Sequence, residues 1–344
     1  MKSSRRYWPV LLLAITCLAR LGIATHESQL DNSKRGYVAG HYALELDGKL
    51  AGWLMKVSGG QASAGVVDEK LGADHIVHKH IGNVKYDEIT FNCGTGMSRD
   101  MYEWIKAEFD GKYVRRSGAI VQADYNFKQL TRLDFQNALI SEVGFPACDA
   151  SSKDAAKMTI KVSPEVTRLQ KGSGNLSGPP TNPQMQKRWL PANFRLTIDG
   201  IDCTRVSKID AITVKQKVVE AGTGQIRDYE KEPAHLEVPN LVISIPESHA
   251  QAFYQWHEDF VVKGNNGQNG EKHGELTFLA PDMRTELFTL NFQHIGIFKI
   301  GPDKSVPGAE NIRRVKVEMY CEDIKFDYKS SAWAARAGKP VHRA

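Results

Sequence analysis

The chain has 344 residues, of which 25% are charged and 41% hydrophobic, and this composition excludes collagen-like, coiled-coil and wholly disordered proteins. Its formal net charge of +5 comes from the two ends, because residues 1–24 and residues 329–344 each carry four basic and no acidic side chains. Removing these eight charges leaves −3 for residues 25–328. A slightly acidic body excludes a broad phosphate-binding surface, so no specific nucleic-acid binding is expected.

The N-terminal segment has the pattern of a secretory signal. Arg5 and Arg6 precede an apolar run over residues 7–19, and small side chains follow at Gly22 and Ala24. The run is shorter than the roughly 20 residues that span a bilayer. Residues 1–24 are interpreted as a signal-like leader, with a start codon placed too early as the alternative. Residues 25–36 are then an N-terminal extension.

The cysteines do not form a recognisable motif. Cys17 lies in the leader, and the other four are far apart and contain no CxxC pair, which excludes zinc ribbons and thioredoxin-like motifs. Buried free thiols are favoured, and one or two disulfides are the alternative if the protein is exported. The four are Cys93, Cys148, Cys203 and Cys321.

An internal repeat organises the body of the chain. Residues 42–48 form an alternating apolar pattern that ends in Asp-Gly, and residues 194–200 repeat it 152 positions later. Further blocks match at an offset of 152, or of 157 after a turn-rich loop at residues 264–270. These blocks are residues 89–91 and 241–243, 102–104 and 254–256, 133–136 and 290–293, and 158–162 and 315–319. Five blocks in one order predict a tandem duplication.

The repeat sets the expected domain boundaries. Residues 37–168 are the first half, residues 169–190 are a Gly/Pro/Ser-rich linker, and residues 191–328 are the second half. Residues 329–344 are a basic tail. Each half mostly alternates polar and apolar side chains, which is typical of half-buried strands.

One helix is predicted within each half. Ser98 is a good N-cap, and the apolar residues that follow it recur at helical spacing. The counterpart runs from Glu247 to Phe260. The fold class is therefore mainly β, with two tandem antiparallel β-barrel or sandwich domains, each flanked by one α-helix. The apolar helix positions are Met101, Tyr102, Ile105 and Phe109 in the first half, and Ala250, Phe253, Tyr254 and Phe260 in the second.

A series of short motifs gives the first half its resemblance to a known family. A strand ending in Asp-Gly is followed by a Gly-aromatic step, by Val-Ser-Gly, and later by a helix with Tyr and Trp. The residues are Asp47, Gly48, Trp53, Val57, Ser58, Gly59, Tyr102 and Trp104. In this order and spacing, residues 37–165 resemble the tail tube proteins of contractile phage tails and related injection systems.

The second half resembles that family less closely. It keeps the turn at Asp199 and Gly200 and the helix residues Tyr254 and Trp256. However, residues 206–208 read Val-Ser-Lys where the first half has Val-Ser-Gly, and Pro246 stands where it has Gly94. The second half is interpreted as a diverged copy of the same fold.

The resemblance implies a structural protein rather than an enzyme. Tube subunits of this family form rings, usually of six one-domain subunits, whose strands line a continuous inner barrel, and stacked rings make a conduit for DNA or protein. Three chains with two halves each supply six units, so a trimeric ring with pseudo-sixfold symmetry is expected. Sheath and baseplate proteins are the other expected partners. The expected location is a virion or injection particle assembled in the cytoplasm, although the leader suggests export. An exported, duplicated β-sandwich binding module is the alternative.

Other candidate motifs favour structural interpretations. Asp74, His75, His78 and His80 are the best metal-like cluster, but the resemblance places this segment in a loop involved in ring stacking. The glycines of residues 94–96 lack the Gly-Lys-Ser/Thr of a phosphate-binding loop. Asp47 and Asp199 are explained by turn geometry, and Trp104 and Trp256 by helix packing. No catalytic residue, cofactor, metal or small-molecule ligand is expected.

Overall fold

The fold is mainly β, as predicted, and the described residues of each half form antiparallel sheets with one α-helix. The computed structural model describes residues 40–70, 76–176, 189–221, 229–303 and 312–329. The leader (1–24), the extension (25–36) and all of the basic tail after Lys329 lie outside the described residues. Within the described residues, no helix is long and apolar enough to cross a membrane.

In the described residues that precede the linker there are ten strands and helix α1. Helix α1 spans Arg99–Phe109 and lies between the fifth and sixth strands. The strands are β1 (His41–Leu46), β2 (Lys49–Gly59), β3 (Ala62–Glu69), β4 (His78–Tyr86), β5 (Ile89–Cys93), β6 (Arg116–Ala123), β7 (Gln129–Phe145), β8 (Cys148–Asp149), β9 (Met158–Ser163) and β10 (Val166–Lys171).

Six of these strands form a closed antiparallel barrel. Their order is β7-β6-β1-β2-β5-β9, and β9 pairs back onto β7. Closure matters because it leaves none of the six with a wholly unpaired edge. The β1–β2 hairpin turns at Asp47 and Gly48, whose φ angles are +49° and +78°, as the Asp-Gly pattern predicted. Buried side chains such as Leu44, Phe91 and Ile160 fill the barrel.

Helix α1 begins where the sequence predicted. The Ser98 hydroxyl accepts a hydrogen bond from the Met101 amide at 3.3 Å, which satisfies one of the free N–H groups of the first turn. The apolar face of the helix packs into the core, and Trp104 is 1% exposed. Its indole Nε1 donates to the Val114 carbonyl oxygen at 2.7 Å. Thr95, three residues before this cap, lies in a bend of the chain.

The described part of the chain after the linker contains eight strands and helix α2. Helix α2 spans Gln251–His257, follows a 3-10 turn at Glu247–His249 and continues as a π-helical turn at Glu258–Val262. The strands are β11 (Phe194–Ile198), β12 (Lys208–Ile209), β13 (Ile212–Ala221), β14 (Glu230–Glu237), β15 (Leu241–Pro246), β16 (Lys272–Leu279), β17 (Glu286–Pro302) and β18 (Arg314–Tyr328).

The second sheet repeats the strand order of the barrel. Its order is β11-β16-β17-β18-β15-β12, and the barrel read from β1 is β1-β6-β7-β9-β5-β2. Among the described residues, no ladder joins β11 to β12, and only a single bridge links Ile198 to Ile201. The outer edge of β12 pairs instead with β8 of the first half. The second sheet therefore stays open where the barrel closes.

The ladders correct one sequence correspondence. Ile209 pairs with Ile243 in the second sheet as Val57 pairs with Phe91 in the barrel, so Ile209 corresponds to Val57. Residues 209–211, and not Val206-Ser207-Lys208, therefore match Val-Ser-Gly. The reason is that the Val206 amide donates to the Cys203 carbonyl in a turn that precedes the strand.

Part of the predicted linker is structured. The Gly172 amide donates to Leu130 and the Leu176 amide to Phe127, so the chain continues along the start of β7 after β10. Trp189 was also assigned to the linker, but it is buried and packs edge-on against two aromatic rings of the second sheet, Phe278 and Phe288. The rest of the linker, residues 177–188, lies outside the described residues.

The described cysteines are free and buried, as favoured from the sequence. Burial raises the pKa of each thiol to about 12, because a thiolate would be desolvated. These thiols therefore stay protonated and unreactive at neutral pH.

Candidate assembly surface

A hairpin of the second half is built into the sheet of the first. In β13, residues Ile212–Lys215 pair antiparallel with residues 145–142 at the end of β7. The β6–β7 ladder has already ended at Ala138, so β13 covers an edge that the barrel itself leaves open. Strand β14 then pairs with β13 and continues the sheet outward. The two halves are therefore joined by strand addition.

The buried face of this hairpin is apolar and continuous with the core. Ile212 and Val214 of β13 are buried, and so are Val143 and Phe145 on the β7 segment that they pair with. The Gln216 side chain is also buried. Burial of these side chains adds a hydrophobic contribution to the backbone hydrogen bonds of the ladder.

A buried lysine anchors the hairpin on the first half. Lys231 of β14 is 6% exposed, and its ammonium group donates to the Ser163 hydroxyl at 3.0 Å and to the Tyr86 carbonyl at 3.4 Å. Its amide donates to the Glu165 carboxylate at 3.2 Å, and its carbonyl accepts from Arg115 at 2.7 Å. Burial lowers the pKa of Lys231. These contacts fix the position of the hairpin by charged and hydrogen-bonded groups as well as by strand pairing.

Helix α1 makes a second contact between the halves. The Lys106 ammonium donates to the Asp327 carboxylate at 2.8 Å, and the Tyr328 hydroxyl donates to Glu103 at 2.6 Å. This hydrogen bond from Tyr328 is the main reason why the pKa of Glu103 is lowered. The ring of Phe326 in β18 lies 5.8 Å from the ring of Phe109 in α1. Hairpin and helix contacts together form a surface that we call the inner junction.

The β3–β4 hairpin contacts the second half only through side-chain hydrogen bonds among the described residues, from Asn83 to the Tyr229 hydroxyl at 2.9 Å and from Lys231 to the Tyr86 carbonyl. Within the described residues, β3 and β4 pair only with each other. Apolar side chains of the hairpin face solvent, with Val66 65% and Ile81 76% exposed. Exposed apolar groups on a strand pair with open edges are typical of a protein interaction surface.

Most of the predicted motif residues of the first half lie in or next to strands of the barrel. Trp53 is buried, and Val57, Ser58 and Gly59 line a groove of the barrel beside β10. Asp47 forms an ion pair with Arg116 at 2.8 Å next to its turn. The helix residues Tyr102 and Trp104 are buried in the core instead. The motif residues therefore have structural positions, three of them along the groove and the helix residues in the core.

The motif residues of the second half have parallel positions. Gly200 has a φ of +70° after β11, whereas Asp199 does not share the positive φ of Asp47. Tyr254 is half-buried and Trp256 is buried. The Trp256 indole donates to the Gly270 carbonyl at 3.1 Å, which repeats the indole-to-backbone bond of Trp104.

The histidine cluster gives no metal-binding geometry that the structure describes. Asp74 and His75 lie outside the described residues. His78 and His80 lie on β4 and are exposed, and His80 Nε2 is 2.8 Å from a Glu69 carboxylate oxygen. Across the described ranges, no group of three or more His, Cys, Asp or Glu side chains is arranged to hold a metal ion.

Sequence analysis missed the role of Lys231 and the pairing of β13 with β7. An isolated lysine in a charged strand carries no local signal of burial. The repeat carries no such signal either, because Lys79, which lies 152 positions earlier, is exposed.

One family model matches the first half of the chain. Residues 38–167 match the family model of the T4-like virus tail tube protein gp19. The tail tube resemblance predicted from the motifs is thereby confirmed for this part of the chain. No curated protein matches the sequence.

Three solved structures show similarity to part of this chain. The chain is similar to the sheath-tube complex of the extracellular contractile injection system PVC, with 17% identity, a TM-score of 0.36, and coverage of 40% of this chain and 93% of that one. It is similar to the tube-terminating cap of the anti-feeding prophage, with 19% identity, a TM-score of 0.36, and 42% and 99% coverage. It is also similar to Hcp1 from Flavobacterium johnsoniae, with 14% identity, a TM-score of 0.25, and 40% and 95% coverage.

Proposed function

We propose that the chain is a structural subunit of a phage-tail-like tube, in which chains join into rings and stacked rings form a conduit for DNA or protein. The observation that carries this proposal is the tail tube match of residues 38–167, on a closed barrel whose strand order recurs in the second sheet. The role is non-enzymatic, with sheath and baseplate proteins as further partners of an injection particle.

Tandem duplication of the tail tube unit, as residues 37–168 and 191–328, is part of this proposal. The register of the two hairpins supports it. Asp68 pairs with Lys79 in β3–β4, and Glu220 pairs with Lys231 in β13–β14, each at an offset of 152. Both hairpins carry a bulge at the same position, between Ala64 and Val66 and between residues 216 and 218. A shared bulge in a shared register supports descent from one ancestral unit.

Three chains are expected to form one ring with pseudo-sixfold symmetry. Because each chain provides two barrel-like units, three chains supply the six units of a tail tube ring. Native mass spectrometry is expected to find rings of about 115 kDa, three times the 38.3 kDa of one chain, or slightly less if the leader is removed. A hexamer of chains, or a monomer at high concentration, would contradict the trimer. Electron microscopy of the same sample tests whether the rings stack into tubes.

The folded body is expected to bind DNA only weakly. Salt-sensitive binding requires clustered basic side chains, and residues 25–328 carry a net charge of −3. Any affinity of the full chain should therefore disappear when residues 329–344 are removed. Fluorescence anisotropy with labelled duplex DNA measures this, with the full chain as the reference. Submicromolar binding by the shortened protein at physiological salt would refute the expectation.

A further inference from the structure

We propose that the inner junction has an inter-chain counterpart, in which the β3–β4 hairpin of one chain adds to the open edge of β17 in a second chain. In the same contact, helix α2 of the second chain packs on β10 of the first. This inference rests on the proposed ring assembly and specifies the surface and register that join its chains. The occupant of both surfaces is a second copy of this chain.

The acceptor is the end of β17. Residues 299–302 correspond, at the offset of 157, to residues 142–145 of β7, which β13 covers in the inner junction. Strand β17 pairs with β18 as far as Pro302, but its ladder with β16 ends at Ile295. The second edge of residues 299–302 therefore has no strand partner among the described residues. Phe145 is buried whereas its counterpart Pro302 is exposed, as expected for an uncovered edge.

The donor is the β3–β4 hairpin, which matches β13–β14 residue by residue at an offset of 152. Val214 and Gln216 are buried in the inner junction, and their counterparts Ala62 and Ala64 are exposed. Because Val214 pairs with Val143, the two offsets place Ala62 opposite Ile300 of the neighbouring chain. The same register pairs Ser63 with Lys299.

The buried lysine of the inner junction also has a counterpart. Lys79 corresponds to Lys231 and is exposed. Glu165, which accepts a hydrogen bond from the Lys231 amide, corresponds at the offset of 157 to Glu322, which is exposed as well. A basic donor and an acidic acceptor of the same chain are thus both uncovered, and the proposed junction brings them together.

The helix contact shows the same difference: residues that are buried in the inner junction have exposed counterparts. Phe109 of α1 and Phe326 of β18 are buried against each other in the inner junction. Their counterparts are Val261, at the π-helical turn that continues α2, and Leu169 in β10, which are 43% and 74% exposed. A second chain placed by the hairpin would cover both apolar side chains.

The charge on the helix side of this contact is inverted. In the inner junction the basic Lys106 on the helix meets the acidic Asp327 on the strand. On the uncovered surfaces the helix carries Glu258 at the position of Lys106, and β10 carries the neutral Gln170 at the position of Asp327, with the basic Arg168 and Lys171 nearby. Glu258 next to α2 and the basic residues of β10 therefore attract each other. The basic Lys106 of α1 would fit this basic strand less well. These complementary charges favour a second copy of the chain over an unrelated partner.

Cysteine cross-linking of the full chain tests the register. The variant Ala62→Cys with Ile300→Cys is expected to form covalent dimers and trimers under mild oxidation, because directly opposed residues of an antiparallel pair approach within disulfide reach. The matched control is Val143→Cys with Val214→Cys, which occupies the equivalent pair of the inner junction and should cross-link within one chain without raising its mass. The variant Ser63→Cys with Ile300→Cys is off register by one residue and should not cross-link.

The outcome separates the junction from the ring proposal. Covalent multimers of the Ala62/Ile300 variant, absent from the off-register variant, support the junction. Rings of three chains in native mass spectrometry without this cross-link would overturn the junction and leave the ring proposal standing. A monomer at all concentrations would overturn both.

Discussion

Replacing Trp104 with alanine is expected to lower the free energy of unfolding by about 3–5 kcal/mol. The indole is 1% exposed in the core beneath helix α1, so its removal loses buried apolar surface and leaves a cavity. It also leaves the Val114 carbonyl without the hydrogen bond that Trp104 donates at 2.7 Å. Denaturant unfolding followed by circular dichroism measures the loss.

Two further variants serve as a comparison and a control for Trp104→Ala. Trp256→Ala should be destabilising in the same direction, because Trp256 is buried in α2 and donates to the Gly270 carbonyl. Met55→Ala changes an exposed residue of β2 and serves as the control, with an expected change within about 0.5 kcal/mol. An unchanged melting temperature for Trp104→Ala would show that the indole does not support the core.

Replacing Glu108 with glutamine is expected to stabilise the protein by up to about 3 kcal/mol at pH 7. Glu108 lies near the end of helix α1, is 2% exposed, and neither carboxylate oxygen has a hydrogen-bond partner among the described residues. Burial raises the pKa of Glu108 from 4.5 to about 8. Glutamine keeps the shape of the side chain and has no charge to desolvate.

The pH dependence of the free energy of unfolding tests whether the stabilisation comes from removing the Glu108 charge. Between pH 4.5 and about 8 the folded state holds a proton on Glu108 that the unfolded state has released. Its contribution is therefore largest below pH 4.5, falls as the pH rises, and levels off above about pH 8. Glu108→Gln should remove this fall, whereas Glu230→Gln, at an exposed site in β14, should not. An equal slope in wild type and Glu108→Gln would contradict the assignment.

Several features of the fold could be predicted from short stretches of sequence. The Ser98 cap, the helix that follows it and the turn at Gly48 depend on a few neighbouring residues, and all three were predicted at the observed positions. The motifs around Asp47 and Trp104 were sufficient to find the tail tube resemblance of residues 38–167. The size of the expected core was sufficient to favour free thiols, and the described cysteines are free.

The pairing of distant strands could not be predicted in the same way. A strand edge offers backbone N–H and C=O groups that are the same for every residue type, so a sequence does not state which edge it will meet. β13 meets β7, about 70 residues away, and β8 meets β12, about 60 residues away. Trp189 is a similar case, because it lies in a segment with loop-like composition and is buried only through contact with the second sheet.

The sequence by itself determined the local elements and the repeat, because turns, caps and alternating side chains act over a few residues and recur wherever the same pattern recurs. The tertiary structure decided which of two matching hairpins is covered. Lys231 and Lys79 occupy equivalent positions in equivalent strands, yet Lys231 is buried and Lys79 exposed. The physical reason is that burial depends on the partner surface: the β7 edge lies within reach of β13 in the same chain, whereas β3–β4 meets no strand edge among the described residues.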